Sequence, residues 1–525
     1  MSTPAPTPVD DSVGQEQRLH PLSWLFVLLQ QLRQFILPLA ALVVFGQRGD
    51  GDPWWMHLVS LVVVVVLVAV SVAQYLSVRY RIGEDAITVR NGLLERNRRE
   101  IPFARIHNVV VEQNPLHRLF GVAELKLESA GGDKPEAHMR VLRLDQALAL
   151  EQLVRQRGRA AANAQAAAAP AADADAGLPP PLPTADDAQA QVLLQLSSWD
   201  VVKLGLLSNR GWILVAAALG SLTQVLPRGV LSDAVEYGGR EAFGYANGLF
   251  TGTAALALLA AVGLLLGWLL LRVLSVAMAL LRYHGFTLTE QDRRLTVVSG
   301  LLNRVRSSVA RRRIQSWTLQ ETLLQRWAGV RQLRIDSAAG QTQGHPEAQR
   351  GLRELAPLAT PERCDALVRS VMTHSQWPPP AWQSLPLRGS WRLCLTSLWF
   401  TPLLAAGLSW RWGPLGLLVL AWLPLALWSA RRQLARMGWY RDNQYIAVRG
   451  GWWSRWWRWA ELDKLQALQL QRSPLDRALG TASLWLDTAG AGPGTPLCLR
   501  YLPQTQAQAL LDELGPLLAR RQLRW

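Results

Sequence analysis

Cysteine is scarce in this sequence. Cys364, Cys394 and Cys498 lie far apart with no CxxC pair, which argues against a disulfide framework and against a zinc site. Catalytic signatures are missing as well: there is no Walker loop, no HExxH, no GxSxG elbow and no carboxylate pair in a catalytic context. We therefore expect a non-enzymatic protein with no cofactor and no metal. Charged residues make up only 18%, against 50% hydrophobic residues and a mean hydropathy of +0.08, values that suit a chain divided between membrane and water. Tyr (8) and Phe (9) are outnumbered by Trp (24), whose indole favours the headgroup interface. The net charge of +16 is carried almost wholly by arginine. Nucleic acid is not the expected partner, because RNP-type aromatic motifs and a recognition helix are both lacking. The first twenty residues are polar and include Asp10, Asp11 and Glu16, so no signal peptide is expected.

Several apolar runs approach the roughly 20 residues needed to cross a hydrocarbon core of about 30 Å. Leu58–Ala73 and Leu249–Leu271 carry no charge, and Leu393–Leu408 and Gly413–Ser429 form a pair around a Trp-Arg-Trp turn at 410–412. Trp212–Leu226 is shorter, and a span beginning near Leu204 would complete it. Leu22–Phe45 is broken by Gln30, Gln31, Arg33 and Gln34, and reads either as a tilted span or as an interfacial helix. Arg79 and Arg81, Arg272 and Arg282, then Arg431, Arg432 and Arg436 follow the second, fourth and sixth segments. The positive-inside rule puts those ends in the cytoplasm of an inner-membrane protein.

A repeat is present three times. Aligning Gly92, Gly300 and Gly451 brings Arg118, Arg326 and Arg477 together, then Gly121, Gly329 and Gly480, then the acids Glu128, Asp336 and Asp487, with no gap. Within each copy, alternating residues, an Asn-Gly or similar turn and a Gly-ended corner predict several antiparallel strands. A helix follows at Asp145–Arg155, Pro361–Met372 and Gln504–Arg521. Each recurring Arg lies ten residues before its acid across the glycine corner, which suggests an internal ion pair fixing that corner.

Gly-Leu-Leu, then Ile-Pro-Phe-Ala-Arg-Ile, then Pro-Leu-His-Arg-Leu-Phe-Gly in copy one resembles the bacterial PH-like membrane family called YdbS-like. That family sets a pair of membrane helices before each such domain. The resemblance implies three α-helical membrane hairpins plus three α+β PH-like split barrels, each a set of strands closed by a C-terminal helix. The expected layout is a polar cytoplasmic tail (1–21), a helix pair (22–78), domain one (79–158) and a disordered Ala/Pro linker (159–195). A second pair (196–281), domain two (282–373), a Pro-rich linker (374–389), a third pair (390–433) and domain three (434–525) follow. It supplies no defined activity, since a PH fold alone does not fix a function.

The basic clusters are the candidate contacts for lipid or a partner: Arg96, Arg98 and Arg99 in copy one, Arg304, Arg306, Arg311, Arg312 and Arg313 in copy two, and Arg455, Arg458 and Trp456 in copy three. A solvated strand face explains them as well as contact with anionic headgroups does, each such contact being worth roughly 1 kcal/mol. Function divides between two readings. One is a scaffold whose domains bind lipid headgroups or a partner membrane protein, a smaller PH-like relative for example, in envelope stress or resistance. The other is a transporter or lipid-export component using the six helices. Against coupled transport, no carboxylate occurs in the clear spans.

Overall fold

The computed structural model describes residues 76–91, 97–129, 137–167, 190–208, 253–337, 353–372, 376–386, 389–488 and 497–520, with shorter pieces within 16–29, 62–73, 211–220 and 236–244. The expected spans Leu22–Phe45, Leu58–Ala73 and Trp212–Leu226 lie largely outside these residues. So do Gly92 and Arg96.

Copy one comprises β1 (Glu16–Arg18), β2 (Arg79–Ile82), β3 (Ala86–Asn91), β4 (Asn97–Pro102), β5 (Ile106–Gln113), the corner helix α1 (Pro115–Leu119), β6 (Val122–Ser129), β7 (Ala137–Arg143) and the closing helix α2 (Leu144–Ala167). Alternation decides the inward face: Tyr80, Ile82, Ile87, Val89 and Ile101 are buried, and Leu142, Leu150 and Leu153 close over them from the other side.

Copy two comprises β8 (Gln191–Gln195), α3 (Ser198–Leu207), α4 (Thr253–Tyr283), β9 (Thr287–Gln291), β10 (Arg294–Ser299), β11 (Arg304–Ala310), β12 (Ile314–Glu321), α5 (Leu323–Trp327), β13 (Arg331–Ser337), β14 (Glu354–Ala359) and α6 (Pro361–Val371). Copy three comprises β15 (Gln383–Ser384), α7 (Gly389–Trp412), α8 (Trp422–Arg436), β16 (Gly438–Arg441), β17 (Tyr445–Gly450), β18 (Arg455–Glu461), β19 (Leu465–Gln471), α9 (Pro474–Leu479), β20 (Thr481–Thr488), β21 (Leu497–Pro503) and α10 (Gln504–Arg520). Three helical stretches are long and apolar enough to cross a membrane: Leu256–Tyr283, Arg392–Arg411 and Gly413–Arg436. In the last, Gly413–Ala421 is wound as a tighter 3-10 helix, and the bend falls at Gly413 rather than in the Trp-Arg-Trp stretch, which ends α7.

Each copy begins before its membrane segment, not after it. β1 pairs with β2, β8 with β9 and β15 with β16, all antiparallel. The expected tail (1–21) and linkers (159–195 and 374–389) therefore each contribute a strand to the domain that follows. Residues 159–167 also continue α2, and Trp377 is 6% exposed within the core. The joint expected at 374–389 is thus partly core. Leu204 belongs to α3, which is capped at Ser208, and is not the start of a span. Gly205 lets α3 approach α4 closely, since a Cβ there would sit 2.5 Å from the Cα of Val276. Arg272 and Ser275 of α4 donate to the carbonyls of Leu206 and Ser208 and of Gly205 and Ser208, satisfying the end of α3.

The copies are also not separate barrels. The sheet order is β7-β6-β5-β11-β10-β9-β8, then β14-β13-β12-β18-β17-β16-β15, so each seven-stranded sheet is half one copy and half the next. The cause is local. β4 and β5 are one strand bent at Phe103–Arg105, and likewise for β11–β12 and β18–β19. Each bent strand thus has an outer edge with backbone groups its own copy leaves unpaired, and the neighbouring copy pairs them.

Candidate functional site

The two junctions use one register. Gln113 faces Arg304 and Val109 faces Ser308 at the first; Glu321 faces Arg455 and Trp317 faces Trp459 at the second. These are equivalent positions in the repeat. The hairpin glycine helps: Gly300 and Gly451 have φ of 116° and 83°, and a Cβ would overlap the carbonyl oxygen of Asn303 or Ser454. The carbonyl of the next residue is then gripped from the preceding copy. Arg118 donates to Leu301 O at 3.1 Å, and Arg326 donates to Trp452 O at 3.4 Å.

The corner ion pair expected from the repeat does not form in this way. Arg118 and Arg326 reach forward to the next copy, and the acids bind elsewhere. Glu128 accepts from Asn108 at 3.0 Å. Asp336 accepts from Ser316 at 2.8 Å and pairs with Arg458 of copy three at 2.7 Å. The equivalents Arg477 and Asp487 are exposed. Gly121, Gly329 and Gly480, with φ near 64°, end the corner helices as expected.

Most of the candidate lipid contacts of copies two and three are structural. Arg311 pairs with Glu290 at 2.8 Å and donates to the carbonyls of Ser370 and Val371. Arg313 is buried, donates to Ile106 O across the first junction, and desolvation lowers its pKa to about 9. Arg306 meets the buried Glu151 of copy one at 3.2 Å. Arg458 is 4% exposed. Arg455 is half-buried opposite Glu321, and Trp456 packs on the third core. Arg304 and Arg312 remain exposed. An unbroken Arg311–Arg313 patch facing lipid is therefore not what the fold presents.

An exposed basic row lies in copy one. The registers put Arg79, Arg90 and Arg98 side by side across β2, β3 and β4, on the face opposite the core, with Arg81 in the next row. Arg99 is exposed on β4. Glu16 of β1 bridges the row, 3.3 Å from Arg79 and 2.7 Å from Arg90. Sequence reading found Arg98 and Arg99 but used Arg79 and Arg81 only for topology, and missed Arg90. The alternation Arg79-Tyr-Arg-Ile and its pairing with Thr88-Val-Arg90 was the available signal.

The profile described as "Bacterial PH domain" matches residues 27–158, 246–363 and 395–517. The chain belongs to the bacterial PH domain family. It is 22% identical over 424 residues to the "UPF0699 transmembrane protein YdbT" of Bacillus subtilis (strain 168), covering 79% of this chain and 81% of that one. No solved structure matches it. The matched ranges take in apolar stretches that precede each set of strands.

Two further sites bear on chemistry. His117 is buried in the α1 capping box, accepts from Asn114 N at 3.3 Å, and burial lowers its pKa. It is a structural histidine. Among the described residues no three His, Cys, Asp or Glu side chains gather as metal ligands would. Between α7 and residues 413–425 runs an apolar cleft of about 1060 Å³, lined by Phe400, Leu404, Leu408, Leu418 and Trp422 with Arg411 at its edge.

Proposed function

We propose that this family member is a non-enzymatic scaffold of the bacterial inner membrane, whose PH-like copies form one continuous array beneath the bilayer on the cytoplasmic side. The observation that carries the reading is the strand on each side of every membrane segment. β1 and β2, β8 and β9, and β15 and β16 are neighbours in their sheets, so both ends of each segment return to one face. That supports an even number of crossings, as three hairpins would give. The arginines at 79, 81, 272, 282, 431, 432 and 436 favour the cytoplasm for that face.

The ligand of the array is anionic headgroup, held by Arg79, Arg90 and Arg98 just beyond the first membrane segment. A fixed row of three guanidiniums suits phosphate oxygens, and proximity to a negative leaflet strengthens each contact. A protein partner in the same membrane, such as a shorter PH-like relative, is the other expected occupant of the array. The test is purification in native lipid followed by mass spectrometry. Anionic lipid retained by the wild type should be lost on combined exchange of Arg79, Arg90 and Arg98 for Gln. Equal retention in the variant would remove the lipid reading.

The apolar cleft in the third pair favours a second reading, lipid handling or export through the helices. It predicts that a retained lipid is displaced by Leu404→Trp and is indifferent to the arginine row.

A further inference from the structure

Among the strand edges of the kind that joins one copy to the next, two carry no neighbouring strand among the described residues: that of β4 in copy one and that of β19 in copy three. They are not equivalent edges but complementary ones. The β4 type of edge is paired in copies two and three, by β5 and β12; the β19 type is paired in copies one and two, by β11 and β18. We propose that β19 of one molecule pairs with β4 of a second copy of this chain, repeating the internal junction between molecules head to tail. The inference does not rest on the lipid reading, though it uses the same strand: Arg98 of the lipid row is equivalent to Arg306, which meets Glu151 of the preceding copy.

Three observations argue for it. First, copy three keeps the groups that grip a following copy. Arg477 stands where Arg118 and Arg326 donate to the next hairpin's carbonyl, an acceptor that any residue supplies, and it is exposed. Second, the charge pair of the second junction is reproduced across the two ends. Asp487 is equivalent to Asp336, and Arg99 is equivalent to Arg458, which meets Asp336 at 2.7 Å. Asp487 and Arg99 are both exposed, and Arg99 has a contact within its own chain that the pairing would exchange. Ala467 stands at the position of Ser316, whose hydroxyl also accepts from Arg458, so the acid alone would hold the guanidinium. Third, β19 lacks the guards of a natural edge. Its sequence Leu-Gln-Ala-Leu-Gln-Leu-Gln has no charge and no proline, and its one register irregularity also occurs in β5 and β12, which are paired.

The shared register then sets Asn97 opposite Gln471, Arg98 opposite Leu470, Arg99 opposite Gln469 and Glu100 opposite Leu468. Two positions oppose the contact: Glu100 would face Leu468 where Trp459 faces Trp317, and Arg472 stands where Glu321 faces Arg455. Head-to-tail contacts of this kind close into rings or extend as filaments.

The test uses the full chain in native-lipid particles, sized by mass photometry, with disulfide cross-linking of Arg99→Cys combined with Gln469→Cys. The three native cysteines are buried. Expected are multiples of 58.3 kDa, a covalent ladder on oxidation, and no ladder when Cys is placed at Arg105 instead of Arg99. Asp487→Arg should weaken assembly roughly tenfold or more, the loss usual when one partner of a covered charge pair is removed. Arg99→Asp in the same chain should restore it, and Arg472→Glu should strengthen it. Monomers at every concentration, or a cross-link only to a shorter PH-like protein, would overturn the proposal. So would Asp487→Arg oligomers that Arg99→Asp does not rescue.

Discussion

The carboxylate of Asp336 lies 2.7 Å from the guanidinium of Arg458, and the two residues belong to different copies of the repeat. Arg458 is nearly inaccessible, and desolvation leads the forces that lower its pKa. A buried guanidinium without its partner is costly, so Asp336→Asn should destabilise the joined copies two and three by about 3 kcal/mol. Thermal unfolding in detergent measures this. An unchanged midpoint would mean that the pair contributes nothing to the junction.

Trp459 of copy three is fully buried between Trp317 of copy two, stacked at 6.3 Å, and Trp377, stacked at 4.2 Å. Replacing it with Ala should cost about 3–5 kcal/mol. Because its neighbours come from both copies, near-ultraviolet circular dichroism should report the loss of ordering in both at once.

Burial, opposed by the Asn108 hydrogen bond and by Lys126, holds the Glu128 carboxyl above its usual range. An acid whose pKa is raised on folding stabilises the native state fully below its unfolded value, and that contribution is lost as pH rises through the folded value. Glu128→Gln keeps an acceptor for Asn108 and removes the charge. The variant should gain on the wild type as pH rises above the ordinary carboxylate range of about 4, measured as the difference in unfolding midpoint. A constant difference would show that Glu128 ionises as freely in the folded protein as in the unfolded chain.

Glu16 occupies two of the three arginines of the copy-one row. If those arginines hold headgroups, Glu16→Gln should raise the amount of anionic lipid retained on purification. A fall in retention would instead make Glu16 part of what orders the row.

A protease site placed between residues 168 and 189 should cut the chain without releasing copy one. β5 stays paired with β11 through the backbone, and Arg313 and Arg306 hold it by their side chains. Separation after cleavage, read by gel filtration, would show that the shared sheet does not hold alone.

Much of this was legible in the residues. The spacing from Gly300 to Gly329 and Asp336 announced a repeat, and the closing helices of copies two and three fall within a residue of their places, whereas that of copy one starts as expected and runs on to Ala167. What could not be read were relations between copies. Arg326 and Asp336 recur together, so proximity in sequence suggested that they pair with each other, whereas one meets a carbonyl and the other a guanidinium of the following copy. Nothing in a single copy's alternation records its neighbour. β15 is two residues long and β8 five, too short for a period to stand out from a linker rich in Ala and Pro. The triple arginine at 311–313 misled for a related reason: a charge run normally faces solvent, but here the backbone turns through it and carries Arg313 inward.

Because both junctions obey one alignment of backbone groups, the length of the array is a variable that recombination can change without redesign. A chain from which copy two had been excised would bring β18 against β5 in the same alignment, and Arg458 would find Glu128 where Asp336 had been. Insertion of another unit would meet the same terms. Descendants with fewer or more units would need no new alignment at their junctions.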